Sequence, residues 1–246
     1  MNICVLGGTG FVGTELVTRL VYAGHWVRVP TRSLAHADRL RVLDTAELRR
    51  VNVHDPRVLS QLFADCAVVI NLIGILNEHG RDTFETVHAA LAGKVMSAAR
   101  ATGVRRVLHM SSLGAAEHAP SRYLRSKAAA EAAVRAVPHP EQAHPAVTIF
   151  RPSVIFGAGD SLTNRFAGLL RLSAGILPLA RVQAAVMGLL PGKPFSLDNF
   201  RSLTLDCVCR EDGCAALGIV PRPLLAELSR PERHARLCTP ETTATD

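Results

Sequence analysis

The feature that most constrains the fold is a glycine-rich segment, "VLGGTGFVG", near the start of the chain. Gly7, Gly10 and Gly13 follow the spacing G-x-x-G-x-x-G between a strand-like run and a helix-like one. A turn without side chains lets the backbone approach a pyrophosphate, and the helix N-terminus supplies amide donors. The segment therefore predicts a dinucleotide-binding junction and not merely a tight structural turn. The residues predicted to contact the cofactor here are Gly7, Gly8, Thr9, Gly10, Phe11, Val12 and Gly13.

Strand-like and helix-like segments alternate through residues 1–160, a pattern typical of a parallel sheet covered by helices on both faces. The predicted strands are 2–6, 26–30, 48–52, 67–73, 105–110 and 146–151. Segments with helical periodicity lie between them, and several end at Gly or Pro. We therefore predict an α/β fold, a Rossmann-type doubly wound parallel sheet with a small, shortened helical C-terminal lobe.

The alternation stops after Asp160, where apolar helical or irregular segments follow. The end of the chain is polar and interrupted by Pro, a composition typical of disorder. The expected organisation is an NAD(P)-binding Rossmann domain at 1–160, a shortened C-terminal lobe at 161–228 and a disordered tail at 229–246.

Composition and charge exclude several classes of protein. The net charge of +7 comes mostly from scattered arginines without a nucleic-acid motif, so nucleic-acid binding is not expected. The thiols of "CVCREDGC" lack a zinc spacing and a neighbouring His, so no metal site is expected. The apolar stretches "LSAGILPLA" and "VQAAVMGLLPG" are shorter than the ~20 residues that span a bilayer. A strand-like run begins directly after Met1, so we expect a cytoplasmic protein without a transmembrane segment.

The end of the second strand decides which dinucleotide is expected. No Asp or Glu lies between Trp26 and Ala37, where an acidic residue would bind the ribose of NAD(H). Thr31 and Arg32 occupy this place, and an arginine suits a 2′-phosphate, so NADP(H) is favoured and NAD(H) stays an alternative. The alternative interpretation of Arg32 is a solvated surface residue without a contact to the cofactor. Asp55, before a Pro, either lies near the adenine or caps a helix.

The segment "YLRSK" contains a second candidate site. Tyr123 and Lys127 are four residues apart, so on a helix they share a face. A cation near the phenol favours phenolate and lowers its pKa toward the range useful for acid–base catalysis. Ser111 or Ser112, at the end of the fifth strand, is then available to hydrogen-bond a substrate carbonyl.

Three further residues have two interpretations each. Arg151, at the end of the sixth strand, either meets cofactor phosphate or substrate, or is a buried arginine tied to carbonyls. His109 is interpreted as a core or strand residue in preference to a base. His88, on the helix after the fourth strand, is interpreted as part of a solvated helix face in preference to a position bordering the cofactor.

Five segments together, "GGTGFVG", "INLIGIL", "HMSSLGA", "YLRSKAAAE" and "RPSVIFGAGDSLTNRFAGLLRL", resemble the atypical or extended short-chain dehydrogenase/reductase superfamily. Within it, residues 1–180 resemble the nucleotide-binding accessory subunits of respiratory complex I and their bacterial relatives. The resemblance implies that Tyr123 and Lys127 match the catalytic pair. It also adds Asn71, Gly74, Lys127 and Arg151 to the cofactor-binding residues.

This resemblance implies an NADP(H)-binding protein with a structural or assembly role linked to complex I or quinone metabolism. The alternative is an active NADPH-dependent oxidoreductase or epimerase/dehydratase-like enzyme using Tyr123 and Lys127. The implied partner is complex I or another membrane-peripheral assembly. The implied location is the cytoplasm, or the inner face of the cytoplasmic or mitochondrial inner membrane.

The chain departs from this family after "GILPLA", which runs directly into "RVQAAVMGLLPGKPFS". Relatives have further strands and helices between these segments, so the lobe that covers the nicotinamide end is expected to be shortened. A shortened lobe leaves a sheet edge and apolar surface to be covered, and self-association is one way to cover them.

Overall fold

The computed structural model describes residues 1–136, 145–155, 196–202, 204–205 and 213–220. Most of the predicted C-terminal lobe, both apolar stretches named above and the predicted tail lie outside the described residues. The predicted domain limits therefore stay predictions.

Among the described residues, six strands form one sheet in which every neighbouring pair is parallel. The strands are β1 (Asn2–Leu6), β2 (Trp26–Thr31), β3 (Ala46–Arg50), β4 (Val68–Asn71), β5 (Arg106–Met110) and β6 (Ala146–Phe150). Their order is β3-β2-β1-β4-β5-β6, which reverses direction between β1 and β4. This is the doubly wound order of a Rossmann fold, and the predicted fold class is confirmed.

Helices between the strands cover both faces of the sheet, and two more helices of the described residues follow β6. They are α1 (Phe11–Tyr22), α2 (Asp38–Arg41), α3 (Pro56–Phe63), α4 (Leu91–Ala101), α5 (Arg122–Arg135), α6 (Leu197–Ser202) and α7 (Gly213–Ala216). A π-helical turn, Glu85–Ala90, leads directly into α4. Within the described ranges, no helix combines the length and the apolar character that crossing a membrane would need.

Two apolar cores lie on opposite faces of the sheet. One packs α3, α4 and α5 on the sheet through side chains such as Phe63, Leu91 and Met96. The other includes Val17 of α1, Val29 of β2 and other buried aliphatic residues. Burial of apolar surface on both faces explains why the strands have few exposed positions in the middle of the sheet.

Five of the six predicted strands differ from the observed ones at their ends, the third and fourth by up to two residues and the others by one. The third strand, predicted at 48–52, lies at Ala46–Arg50, and in the turn that follows the Asn52 carboxamide oxygen accepts a hydrogen bond from His54 N. The fourth was placed at 67–73 and ends at Asn71, whose Oδ1 accepts a hydrogen bond from Ile73 N. In both cases an asparagine side chain accepts a backbone hydrogen bond in the turn at the end of the strand or just after it.

Candidate functional site

The glycine segment forms a tight loop at the carboxyl end of β1, beside the point where the strand order reverses. Gly7 has a φ of +78°, and its carbonyl accepts a hydrogen bond from Gly10 N at 3.0 Å. Ligands of open α/β sheets bind at this reversal point. The loop therefore lies where the sequence predicted a dinucleotide site.

Close packing requires glycine at two more positions of this loop. A Cβ atom on Gly13 would overlap the Gly7 carbonyl oxygen and lie 2.6 Å from Gly8 Cα. A Cβ on Gly8 would lie 2.7 Å from Val29 Cγ1. Gly10 precedes α1 without any side-chain cap, so the helix N-terminus presents its amides to the cleft. These features fit a dinucleotide pyrophosphate.

Two adjoining cavities follow the carboxyl edge of the sheet and meet at the glycine loop. One, of about 440 Å³, extends toward Tyr123 and Lys127, and the other, of about 480 Å³, extends toward Arg32. The residues that line both are Gly7, Gly10, Leu72, Gly74 and Ile75. One elongated ligand with a central pyrophosphate suits this shape.

The predicted cofactor residues do not all face these cavities. Gly7, Thr9, Gly10, Phe11, Val12, Gly13, Thr31, Arg32, Gly74 and Lys127 line at least one of them. Gly8 packs behind the loop, and Asn71 is buried, where its amide bonds Ile73 N and His109 Nδ1. The interpretation of Asn71 as a cofactor residue stays a prediction; its observed contacts shape the loop after β4.

Arg32 forms an ion pair that the sequence did not indicate. Its Nη1 lies 2.7 Å from the Asp82 carboxylate, which belongs to the loop after β4. The Arg32 side chain is 77% exposed and that of Asp82 is 37% exposed. An acidic group is therefore present beside Arg32, although the end of β2 itself has none.

Asp55 caps α3 by accepting a hydrogen bond from Arg57 N, as one of its two interpretations expected.

Lys127 lies one helical turn beyond Tyr123 on α5, and both residues line the same cavity. The Lys127 side chain is buried, and its Nζ donates to the Met110 carbonyl at 2.7 Å. Burial lowers the pKa of Lys127 to about 8, although the charge of Glu131 opposes this shift. The ammonium group remains mostly protonated at neutral pH and faces the end of β5.

The expected lowering of the Tyr123 pKa is wrong for this structure. Burial of the phenol raises its pKa, and the Ser112 side chain, which interacts with it, only partly opposes the shift. Burial disfavours the charged phenolate, and this effect exceeds the attraction of any neighbouring positive charge. Tyr123 is therefore a neutral phenol at neutral pH.

The two candidate serines have different surroundings. Ser112 donates to the Leu113 carbonyl at 3.3 Å and lies close enough to Tyr123 to lower the pKa of the phenol. Ser111 is buried, and its hydroxyl has no hydrogen-bond partner of normal geometry among the described residues. Both line the cavity toward Tyr123. The effect of Ser112 on the Tyr123 pKa favours Ser112 as the hydroxyl that acts with the phenol.

Arg151 is held by a buried carboxylate. Its Nε and Nη2 donate to the two oxygens of Glu131 at 2.7 and 2.6 Å, and Arg135 adds a third bond. Burial raises the pKa of Glu131, but the hydrogen bonds and charge of Arg151, together with smaller contributions from Ser111 and Arg135, leave the pKa below its usual value. Arg151 lines neither cavity described above, so its interpretation as a cofactor residue stays a prediction.

His88 is buried, so its interpretation as part of a solvated helix face is wrong. Its Nε2 accepts a hydrogen bond from Ile75 N at 3.0 Å, and its Nδ1 lies 2.7 Å from Ser126 Oγ. Because Ser126 Oγ donates to the Tyr123 carbonyl, Nδ1 of His88 carries the proton. His88 thereby links the loop after β4, which lines both cavities at Ile75, to α5. Its spacing in the sequence offered no signal for this role.

Asp198 is a further residue that the sequence did not indicate. It lies on α6, and its carboxylate accepts hydrogen bonds from Arg122 N at 2.7 Å and Tyr123 N at 2.9 Å. Ser121 caps the next free amide, that of Leu124. The C-terminal part of the chain therefore holds the helix end that carries Tyr123.

We expect Asp198→Ala to destabilise the protein by about 1–2 kcal/mol, because two helix-terminal amides lose their acceptor. Chemical denaturation measures this change. Glu117→Ala, which removes an exposed acid from the loop before α5, should change stability by less than about 0.5 kcal/mol. Equal stabilities for the two variants would contradict the capping role.

Residues 3–175 match the NAD dependent epimerase/dehydratase family. The chain is 35% identical over 180 residues to NADH dehydrogenase [ubiquinone] 1 alpha subcomplex subunit 9, mitochondrial, of Arabidopsis thaliana. The aligned region covers 71% of this chain and 43% of that protein. It is 36% identical over 172 residues to a ceramide reductase of Caulobacter vibrioides, and this alignment covers 70% of this chain and 51% of the reductase. The chain thus spans about half the length of the curated relatives it matches.

A solved structure, UDP-glucuronic acid 4-epimerase from Bacillus cereus in complex with NAD, resembles the fold with a TM-score of 0.56. The two chains are 20% identical, and the match covers 70% of this chain and 64% of that one. This likeness supports the Rossmann architecture alone. The family match includes the glycine loop, all six strands and the Tyr123–Lys127 pair, and it confirms the resemblance found in the sequence. The chain belongs to the NAD dependent epimerase/dehydratase family.

Proposed function

We propose that the chain binds a nicotinamide dinucleotide along the carboxyl edge of its sheet, with NADP(H) preferred over NAD(H). The observation that carries this proposal is the pair of adjoining cavities that meet at the glycine loop. In this arrangement the pyrophosphate lies at the loop, the adenosine half lies toward Arg32, and the nicotinamide half lies toward Tyr123. The family to which the chain belongs supports the cofactor class.

We propose further that the bound nucleotide serves a structural or assembly role linked to respiratory complex I or quinone metabolism. The relatives named as subunits of NADH dehydrogenase [ubiquinone] support this role. The corresponding location is the cytoplasm or the inner face of an energy-transducing membrane. Co-fractionation of the native protein with complex I tests the proposal, and recovery solely as a free protein would contradict it.

A second candidate is an active NADPH-dependent oxidoreductase or epimerase/dehydratase-like enzyme. The observation that favours it is the common cavity of Tyr123, Lys127 and Ser112. The ceramide reductase among the relatives also supports it. The nucleotide, when bound, supplies hydride chemistry.

In this second candidate the neutral phenol of Tyr123 holds a proton for the oxygen of a carbonyl substrate, and Ser112 hydrogen-bonds the same oxygen. The protonated Lys127 stabilises negative charge that develops there. His88 positions the loop at Ile75 and, through Ser126, the first turn of α5.

Calorimetric titration with NADPH and NADH tests the nucleotide site itself. We expect both nucleotides to bind, with a lower Kd for NADPH than for NADH. Each nucleotide should raise the melting temperature of the protein as the nucleotide concentration increases above the Kd. A ligand at 100 times its Kd should stabilise the protein by about 2.7 kcal/mol. Failure of both nucleotides to bind would overturn the proposal.

Tyr123→Phe separates the two candidates. If the protein is an enzyme, the variant should lose NADPH-dependent carbonyl reduction by about 10²-fold or more, because the proton donor is missing. Its Kd for NADPH should stay within about threefold, since the phenol contributes little to nucleotide binding. Activity that persists unchanged in Tyr123→Phe would remove the role assigned to the phenol.

A further inference from the structure

We propose that Arg32 and Asp82 together form a cofactor selector, in which Asp82 binds the adenosine ribose of NAD(H) and Arg32 binds the 2′-phosphate of NADP(H). The chain would then accept both nucleotides, with the balance set by this ion pair. This inference rests on the proposed nucleotide site and specifies how that site distinguishes its ligands.

The geometry places both groups at the same end of the cleft. Arg32 and Asp82 line the cavity of about 480 Å³ that adjoins the glycine loop. Their charged ends lie 2.7 Å apart. A carboxylate here can accept the ribose hydroxyls, as an acid at the end of the second strand does in NAD-binding Rossmann folds. Asp82 supplies this acid from the loop after β4.

Asp82 is fixed by the backbone around it. Its N–H donates to the His79 carbonyl and its carbonyl accepts from the His79 N–H, each at 3.0 Å. Gly80, with a φ of +56°, makes the tight turn between these two residues. The carboxylate is therefore attached to a closed loop. Arg32, by contrast, is a long side chain that is 77% exposed and can change rotamer at low cost.

The surroundings offer Arg32 an alternative position. A third cavity, of about 680 Å³, shares Arg32 and Asp82 with the previous one and is also lined by Arg50, Arg81 and Lys94. A 2′-phosphate attracts these basic groups and is repelled by the Asp82 carboxylate. Arg32 must leave Asp82 to bind the phosphate in bidentate geometry. The ion pair therefore opposes NADP(H), while the carboxylate favours NAD(H).

Asp82→Asn tests the selector directly. We expect the variant to bind NADPH several-fold more tightly and NADH about tenfold more weakly, because hydrogen bonds to charged groups contribute about 10- to 100-fold to affinity. The ratio of the two dissociation constants should shift by at least about tenfold toward NADPH. Isothermal titration calorimetry with each nucleotide gives both constants.

Two further variants complete the design. Arg32→Gln should shift the ratio in the opposite direction, mainly through weaker NADPH binding. Glu85→Gln removes an exposed acid a few residues after Asp82 and should leave the ratio within about twofold. Thermal unfolding without nucleotide checks that each variant is folded, and Arg32→Gln tests the proposal even if Asp82→Asn does not fold.

The outcomes separate this inference from the proposed function. If the wild-type protein binds neither nucleotide, the nucleotide site and the selector are both overturned. If it binds them and Asp82→Asn leaves their ratio within about twofold, the selector alone is overturned. A shift toward NADPH in Asp82→Asn together with the opposite shift in Arg32→Gln supports it.

Discussion

Gly13→Ala is expected to abolish dinucleotide binding and to destabilise the fold by several kcal/mol. The added methyl group would overlap the Gly7 carbonyl oxygen and would lie 2.6 and 2.7 Å from the Gly8 Cα and carbonyl carbon. These neighbours are backbone atoms that cannot change rotamer, so α1 must move away from the loop. Nucleotide titration and urea denaturation measure the two effects.

Gly93→Ala is the matched control for this substitution. Gly93 lies in α4, and a Cβ there would have no heavy atom of another element within 4 Å. Alanine should leave nucleotide binding unchanged and stabilise the protein by about 0.5–1 kcal/mol, because glycine is the poorer helix former. Normal binding by Gly13→Ala would contradict the proposed pyrophosphate site.

The second large effect is a loss of stability in acid caused by two buried histidines. Burial and the charge of Lys127 lower the pKa of His88 to about 3 and that of His109 to about 4. The unfolded chain has histidine pKa values near 6.5, so below that pH it binds more protons than the folded protein. Stability is therefore present above pH ~6.5 and is lost as the pH falls toward these folded-state values.

The expected loss at pH 5 relative to pH 8 is about 2 kcal/mol for each histidine, or about 4 kcal/mol in total. Denaturant midpoints measured across this range test it. His109→Gln should remove about half of the dependence, whereas His118→Gln, at an exposed position, should leave it unchanged. A stability that stays constant from pH 8 to pH 5 would show that these histidines are charged or exposed in the folded protein.

The fold holds His109 as a buried, neutral imidazole. Asn71 Nδ2 donates to His109 Nδ1 at 3.3 Å, so the ring proton is on Nε2, for which the described residues provide no partner. This agrees with the interpretation of His109 as a buried strand residue. Protonation of His109 is costly because burial disfavours the charged ring and the positive charge of Lys127 repels it.

The sequence by itself determined the features that depend on neighbouring positions in the chain. The glycine spacing predicted the loop after β1, and the alternation of strand and helix patterns predicted the parallel sheet. The four-residue separation of Tyr123 and Lys127 predicted a shared helix face. These predictions succeeded because turn geometry, strand alternation and helical periodicity act over a few residues.

Only the tertiary structure decided which distant side chains meet at the site. Asp82 reaches Arg32 across 50 positions, Asp198 caps the helix of Tyr123 from 75 positions away, and His88 joins two elements through Ser126. Ser112 affects the pKa of the phenol, whereas Ser111 beside it is buried. Burial then determined the pKa of Tyr123, because desolvation depends on every element packed around a group and no local pattern records it.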